Sequence, residues 1–201
     1  MISVKDMITR IRAETHDHQK AGYPDEELLM YINDGLRFLR RTIMDIYPSM
    51  IADIDMEGEL GDGENAIYTY TPIATIIDMR VDGERLDLVN PRSIRKLTDT
   101  GRPRRYYLSG HNCVKVWPVC EKPYAYSLLA VGDFEPLTLK DETPVPNEYD
   151  DYILEYAMIR MNMTQEFDLS QEQQLMSSIT SQITSRIRDF NEPGVQLKSY
   201  W

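Results

Sequence analysis

One run of residues constrains this chain more than any other. Leu29, Ile32, Leu36, Leu39, Ile43 and Ile46 recur at alternating steps of three and four, the spacing that lines one face of an α-helix. The pattern predicts a helix over residues 25–46. Asp25, Glu26 and Glu27 fall in its first turn, where the helix dipole favours negative charge, and Pro48 stops it. A helix with one apolar stripe must bury that stripe against a partner. Three other segments offer one. Ser3 can cap a helix whose Val4, Met7, Ile8 and Ile11 share a face. That helix fades by His16 to Lys20, before a break at Ala21-Gly22-Tyr23-Pro24. Near the far end, Pro144-Val145-Pro146 precedes Asn147, which suits a cap. Tyr149, Tyr152, Ile153, Tyr156, Ile159, Arg160 and Met163 then share a face. Asp168 or Ser170 opens the last helix, with Ser170 to Gln173 as a capping box. Its inner stripe is Met176, Ile179, Ile183, Ile187 and Phe190, and Pro193-Gly194 ends it.

The middle of the chain has a different character. From about residue 65 to 135 it reads as strands. Ala66 to Thr71 is rich in Tyr, Ile and Thr. Ile76 to Val81, Asp82-Gly83 and Glu84 to Val89 have the form of a two-residue hairpin, since Asp-Gly tolerates positive φ. Asn90-Pro91 starts a short helix through Leu97, with Pro91 in its first position. Arg105 to Ser109 and Cys113 to Val119 make a second hairpin, and Tyr124 to Val131 a further strand. The economical fold is α+β: a four-helix bundle formed by the N- and C-terminal helices, with an antiparallel β subdomain inserted between the second and third helices and an extended C-terminal tail. The expected boundaries are 1–52 and 140–190 for the bundle, 53–139 for the β subdomain, with an acidic connection at 53–64, and 191–201 for the tail.

At 201 residues the chain is long enough for a core without disulfide or metal staples. Its net charge of −11 makes most of the surface repel phosphate, so it is a poor general nucleic-acid binder. Met1 to Asp6 does not read as a signal peptide, and no apolar run reaches membrane length. Cys113 and Cys120 are the two cysteines, which suggests synthesis in a reducing compartment and a role as small buried hydrophobes. Phosphate loops, dinucleotide turns, nucleophile elbows and His-Glu-x-x-His pairs are all missing. His16 and His18, two apart on a helix end, and His111 in a turn do not form a zinc set. The reading is therefore non-enzymatic, with no cofactor, no catalytic residue and no metal ligand assigned.

Two charged stretches stand out. Asp53-Ile54-Asp55-Met56-Glu57-Gly58-Glu59-Leu60-Gly61-Asp62-Gly63-Glu64 approximates a calcium loop, with acids at the first, third and fifth places, Gly at the sixth and Glu at the twelfth. A long Glu at the fifth place and a following strand pattern count against calcium, and leave an acidic connection. Residues 92–105 carry Arg92, Arg95, Lys96, Arg102, Arg104 and Arg105 against Asp99. Three readings of the pair remain open: solvated patches, a nucleic-acid contact, or complementary faces of a head-to-tail self-interface between Arg102, Arg104, Arg105 and Asp53, Asp55, Glu57, Glu59. In the tail, Val195 and Leu197 alternate with polar residues before Tyr200-Trp201. That pattern serves either folding back or docking on another chain.

Several local motifs resemble one known family. They are Tyr23-Pro24-Asp25-Glu26-Glu27-Leu28-Leu29, Tyr31-Ile32-Asn33-Asp34-Gly35, Cys113-Val114-Lys115-Val116-Trp117-Pro118 and Pro144-Val145-Pro146-Asn147-Glu148-Tyr149. Together with the element order, they resemble the adaptor (head–tail connector) proteins of short-tailed bacteriophages over most of the chain. The resemblance implies a structural virion protein of the phage neck, made in the host cytoplasm. It implies a ring, usually of twelve copies, between a portal protein and a tail or nozzle protein, through which DNA passes without specific binding. It also implies that Val195, Leu197, Tyr200 and Trp201 reach the portal. A calcium-responsive or nucleic-acid-binding regulatory module is the alternative from another class.

Overall fold

The computed structural model describes residues 2–17, 22–94, 96–163 and 170–191. Its fold is α+β, with four α-helices and two four-stranded sheets among the described residues. The chain divides into two compact units, residues 1–47 with 135–201, and residues 48–134.

The first unit holds α1 (Val4–Glu14), α2 (Asp25–Ile46), α3 (Asp150–Met163) and α4 (Ser170–Asn191). Ser3 caps α1 by accepting from the Asp6 N–H at 3.1 Å, and Val4, Met7, Ile8 and Ile11 are buried. The α2 stripe is Leu28, Tyr31, Ile32, Gly35, Leu36, Leu39 and Ile43. Leu29 and Ile46, expected inside, lie half-buried at its margins. Helix α3 packs against α1, α2 and α4. The expected single stripe on α3 is therefore corrected. Ile153, Leu154, Ala157, Ile159 and Met161 are buried around several sides, while Arg160 is exposed. A helix enclosed by three others does not show one apolar face. On α4, Ile179, Ile183 and Ile187 are buried and Met176 is half-buried. The side chains of Met163 and Phe190 lie outside the described residues.

The second unit stacks two sheets around one apolar cluster drawn from both. The first sheet has the order β1 (Ile54–Leu60), β10 (Tyr124–Gly132), β3 (Ile73–Val81), β4 (Glu84–Arg85), all antiparallel. The second has the order β2 (Ala66–Tyr68), β8 (Cys113–Trp117), β7 (Arg105–Leu108), β5 (Asp87–Leu88). Its last pair, β5 with β7, is parallel. A small parallel pair joins β6 (Thr100–Gly101) to β9 (Val119–Cys120). The Asp82-Gly83 turn has φ of 50° and 76°, as a two-residue hairpin demands. Cys113 and Cys120 are free and buried.

Four expectations fail locally. The acidic stretch 53–64 is not a connection. Ile54, Met56 and Leu60 alternate inward, so residues 54–60 form β1 along β10. An extended strand sets Asp55, Glu57 and Glu59 in a row on one face, about 6.6 Å apart, instead of curling them around one ion, which removes the calcium-loop geometry. The strand expected at 84–89 is split, because buried Leu86 sits between β4 of one sheet and β5 of the other. The helix expected through Leu97 is a single 3-10 turn, Pro91–Ser93, capped by Asn90. The strand expected at 113–119 is interrupted at the cis Trp117-Pro118 bond, beyond which Val119 pairs with a different neighbour.

Candidate subunit and partner interface

In the helical unit, the polar residues of the signature motifs bond within the unit. Arg12, on α1, is buried with only 7% of its side chain exposed. Its guanidinium donates to Asp17 Oδ2 at 2.7 Å, Asp25 Oδ1 at 2.6 Å and the Tyr23 carbonyl at 2.7 Å. This ties the end of α1 to the first turn of α2. Asn33 meets the backbone of Leu137 twice, donating at 3.0 Å and accepting at 2.7 Å. Gly35 lies against α3, where a Cβ would come 2.9 Å from the Ile153 carbonyl oxygen. Asp150 is buried and accepts from the Thr143 hydroxyl at 2.9 Å. Burial pushes its carboxyl pKa up, against the opposing pull of that hydroxyl. Arg186 of α4 donates to Glu148 at 2.6 Å and lies 6.0 Å from the centre of the buried Tyr149 ring.

In the β unit, Arg104, Arg105 and the acids of β1 are exposed. Gly101, Arg102, Arg104, Arg105, Trp117 and Pro118 line an open cleft of ≈ 390 Å³. The Trp117 indole N–H donates to the Lys96 carbonyl at 3.0 Å, which fixes the ring. The Arg105 guanidinium lies over that ring, 5.9 Å from its centre, within cation–π range. Arg102 pairs with Glu84 at 3.1 Å, and its buried Nε–H meets no acceptor. Among the described residues, no carboxylate pairs with Arg104 or Arg105.

On β1, Asp55, Glu57 and Glu59 share the solvent face and are exposed. Asp53 behaves differently, because its Oδ1 accepts the Gly132 N–H at 2.5 Å within its own sheet. The three sequence-predicted arginines thus converge on one cleft. Three of the four predicted acids form one row, and the fourth is tied to its own sheet. Val195, Leu197, Tyr200 and Trp201 lie outside the described residues. Sequence reasoning did not assign Trp117 to the interface, although a tryptophan before proline at a strand end was a visible signal. It missed Arg12 altogether.

A family model described as SU10 adaptor protein matches residues 2–196. The chain belongs to that adaptor family. The match covers the helical motifs and the β unit alike, and it agrees with the phage-adaptor resemblance in the sequence. Family membership implies a structural role in the virion and association with other virion components. No curated protein matches the chain. Among the described residues, no helix is long and apolar enough to cross a membrane.

Proposed function

We propose that this protein is a non-enzymatic head–tail adaptor. It assembles as a ring of about twelve copies between the portal and the tail and prolongs the channel through which DNA passes. The family match over residues 2–196 carries this reading. Physical features support it. Arg12 ties α1 to α2, Asn33 ties α2 to the segment at Leu137, and Gly35 seats α2 closely on α3, which suits a helical body that holds its shape among other chains. The β unit, inserted in sequence between α2 and α3, carries both signs of exposed charge for neighbouring chains. A net charge of −11 lets a duplex slide past without being held.

In this reading Arg102, Arg104 and Arg105, with the acids at 53–59, sit at the subunit interface. Val195, Leu197, Tyr200 and Trp201 anchor on the portal, and the tail or nozzle protein docks on the assembled ring. Electron microscopy of the full chain mixed with its portal tests this, with a closed ring on the portal vertex expected. Deletion of residues 191–201 should leave the fold intact and abolish attachment; retained attachment would remove the anchor role.

A further inference from the structure

The first β sheet has a charge direction that its composition does not reveal. The register places Glu57 opposite Ser127, Ser127 opposite Arg80, and Arg80 opposite Arg85. One row across the four strands therefore runs from anion, through a neutral residue, to two cations. Strands lie about 4.8 Å apart, so the row spans roughly 14 Å. At its acidic end β1 is an edge strand among the described residues, with Asp55 and Glu59 flanking Glu57.

The opposite edge is β4. There Arg80 and Arg85 share Asp78, at 2.5 Å and 3.2 Å. Beside it, the Arg102–Glu84 pair links β4 to the arginine–tryptophan cleft. The Arg104 carbonyl accepts the Asp87 N–H at 3.3 Å, and Arg105 stands opposite Asp87, so these two cations lie beside β5, the strand that follows β4 in the chain. A body with opposite charges at opposite edges repels its own mirror pairing and favours head-to-tail contact. Such a contact is heterologous, and it closes into a ring when its rotation permits.

We propose that a second copy of this chain lays the Asp55, Glu57 and Glu59 row of its β1 edge against the Arg102, Arg104, Arg105 and Trp117 cleft, joining the β units head to tail. The proposal rests on the ring reading above and deepens it by giving the contact a direction, the β1 edge into the cleft, by adding Trp117 to the cleft, and by leaving out Asp53, which its own sheet holds. The cleft supplies what a carboxylate row needs. Arginine forks match carboxylates two bonds at a time, and a stacked Arg105 is already oriented. The occupant supplies acids that their own sheet leaves unpaired among the described residues. Complementary charge at such a contact sets register and on-rate as well as affinity.

The test uses full-length chains at low salt, followed by sedimentation velocity. Wild type should self-associate, and weaken as salt rises. Arg104→Glu/Arg105→Glu alone and Glu57→Lys/Glu59→Lys alone should each lose about tenfold or more in association constant. Mixing the two variants should restore assembly, because each offers the surface that the other lacks. A wild-type chain that stays monomeric at every concentration, or a mixture that fails to recover, overturns the proposal. So does an arginine variant that loses only binding to a DNA duplex or to an acidic partner. A ring seen on the portal together with unaffected variants would retain the adaptor reading and sink only this interface.

Discussion

The two units of this chain treat charge in opposite ways. In the helical unit, Arg12 and Asp150 are buried, Asp17 and Asp25 are partly so, and each is bonded to a neighbouring segment. In the β unit, Asp55, Glu57, Glu59, Arg104 and Arg105 stand in solvent. The difference separates two uses of one residue type. A buried ion whose partner is removed is costly, so the helical charges specify how helices meet. Exposed charges contribute little to the fold and remain available for other chains.

The sharpest way to break this contrast is at Arg12. Arg12→Ala strands two carboxylates near the end of α1 and should destabilise the helical unit by about 3–5 kcal/mol. Urea unfolding followed by circular dichroism measures it, and a loss below about 1 kcal/mol would mean that the site behaves like a surface pair. Next comes Gly35→Val. Its side chain enters the space held by the Ile153 backbone, and overpacking of that kind costs about 1–3 kcal/mol. Thermal melting should show the drop.

Asp150 gives a smaller effect with a definite sign. Burial raises its carboxyl pKa above the ordinary 3.8 in the folded chain. The stability contributed by that bound proton is complete below the unfolded value and is lost as pH rises through the folded one. Asp150→Asn keeps an acceptor for Thr143 and has no proton to lose. It should therefore be more stable than wild type at pH 7, with the gap closing toward pH 3. Denaturant midpoints across that range test it, and parallel pH profiles would show that burial does not control this group. Smallest of all, Arg104→Glu/Arg105→Glu should change unfolding free energy by no more than about 0.5 kcal/mol. A larger loss would place these arginines in the fold and end the contrast.

Much of the helical unit was legible because a 3.6-residue period survives in any amphipathic helix. The α2 pattern gave residues 25–46, and the helix spans Asp25–Ile46. Helix α3 was misread as single-striped because its neighbours surround it, and enclosure erases periodicity. In the β unit, β1 was hidden behind acids on its outer face, although Ile54, Met56 and Leu60 kept the period of two. The split after Arg85 depends on which sheet claims Leu86, and adjacent residues do not encode that. The arginines were visible as a charged run. Their convergence with Trp117 depends on the β7–β8 register, which sets Arg105 opposite Trp117.

The first unit is assembled from both flanks of the chain, with residues 48–134 between them. On the ribosome, α1 and α2 emerge early with their oily faces bare. They must wait until synthesis passes Asn191, a delay on the order of ten seconds at about 5–20 residues per second. The β unit meanwhile has its full sequence and can close first. Chains still short of α3 and α4 therefore leave the α2 stripe uncovered, and the order of synthesis sets how long that exposure lasts.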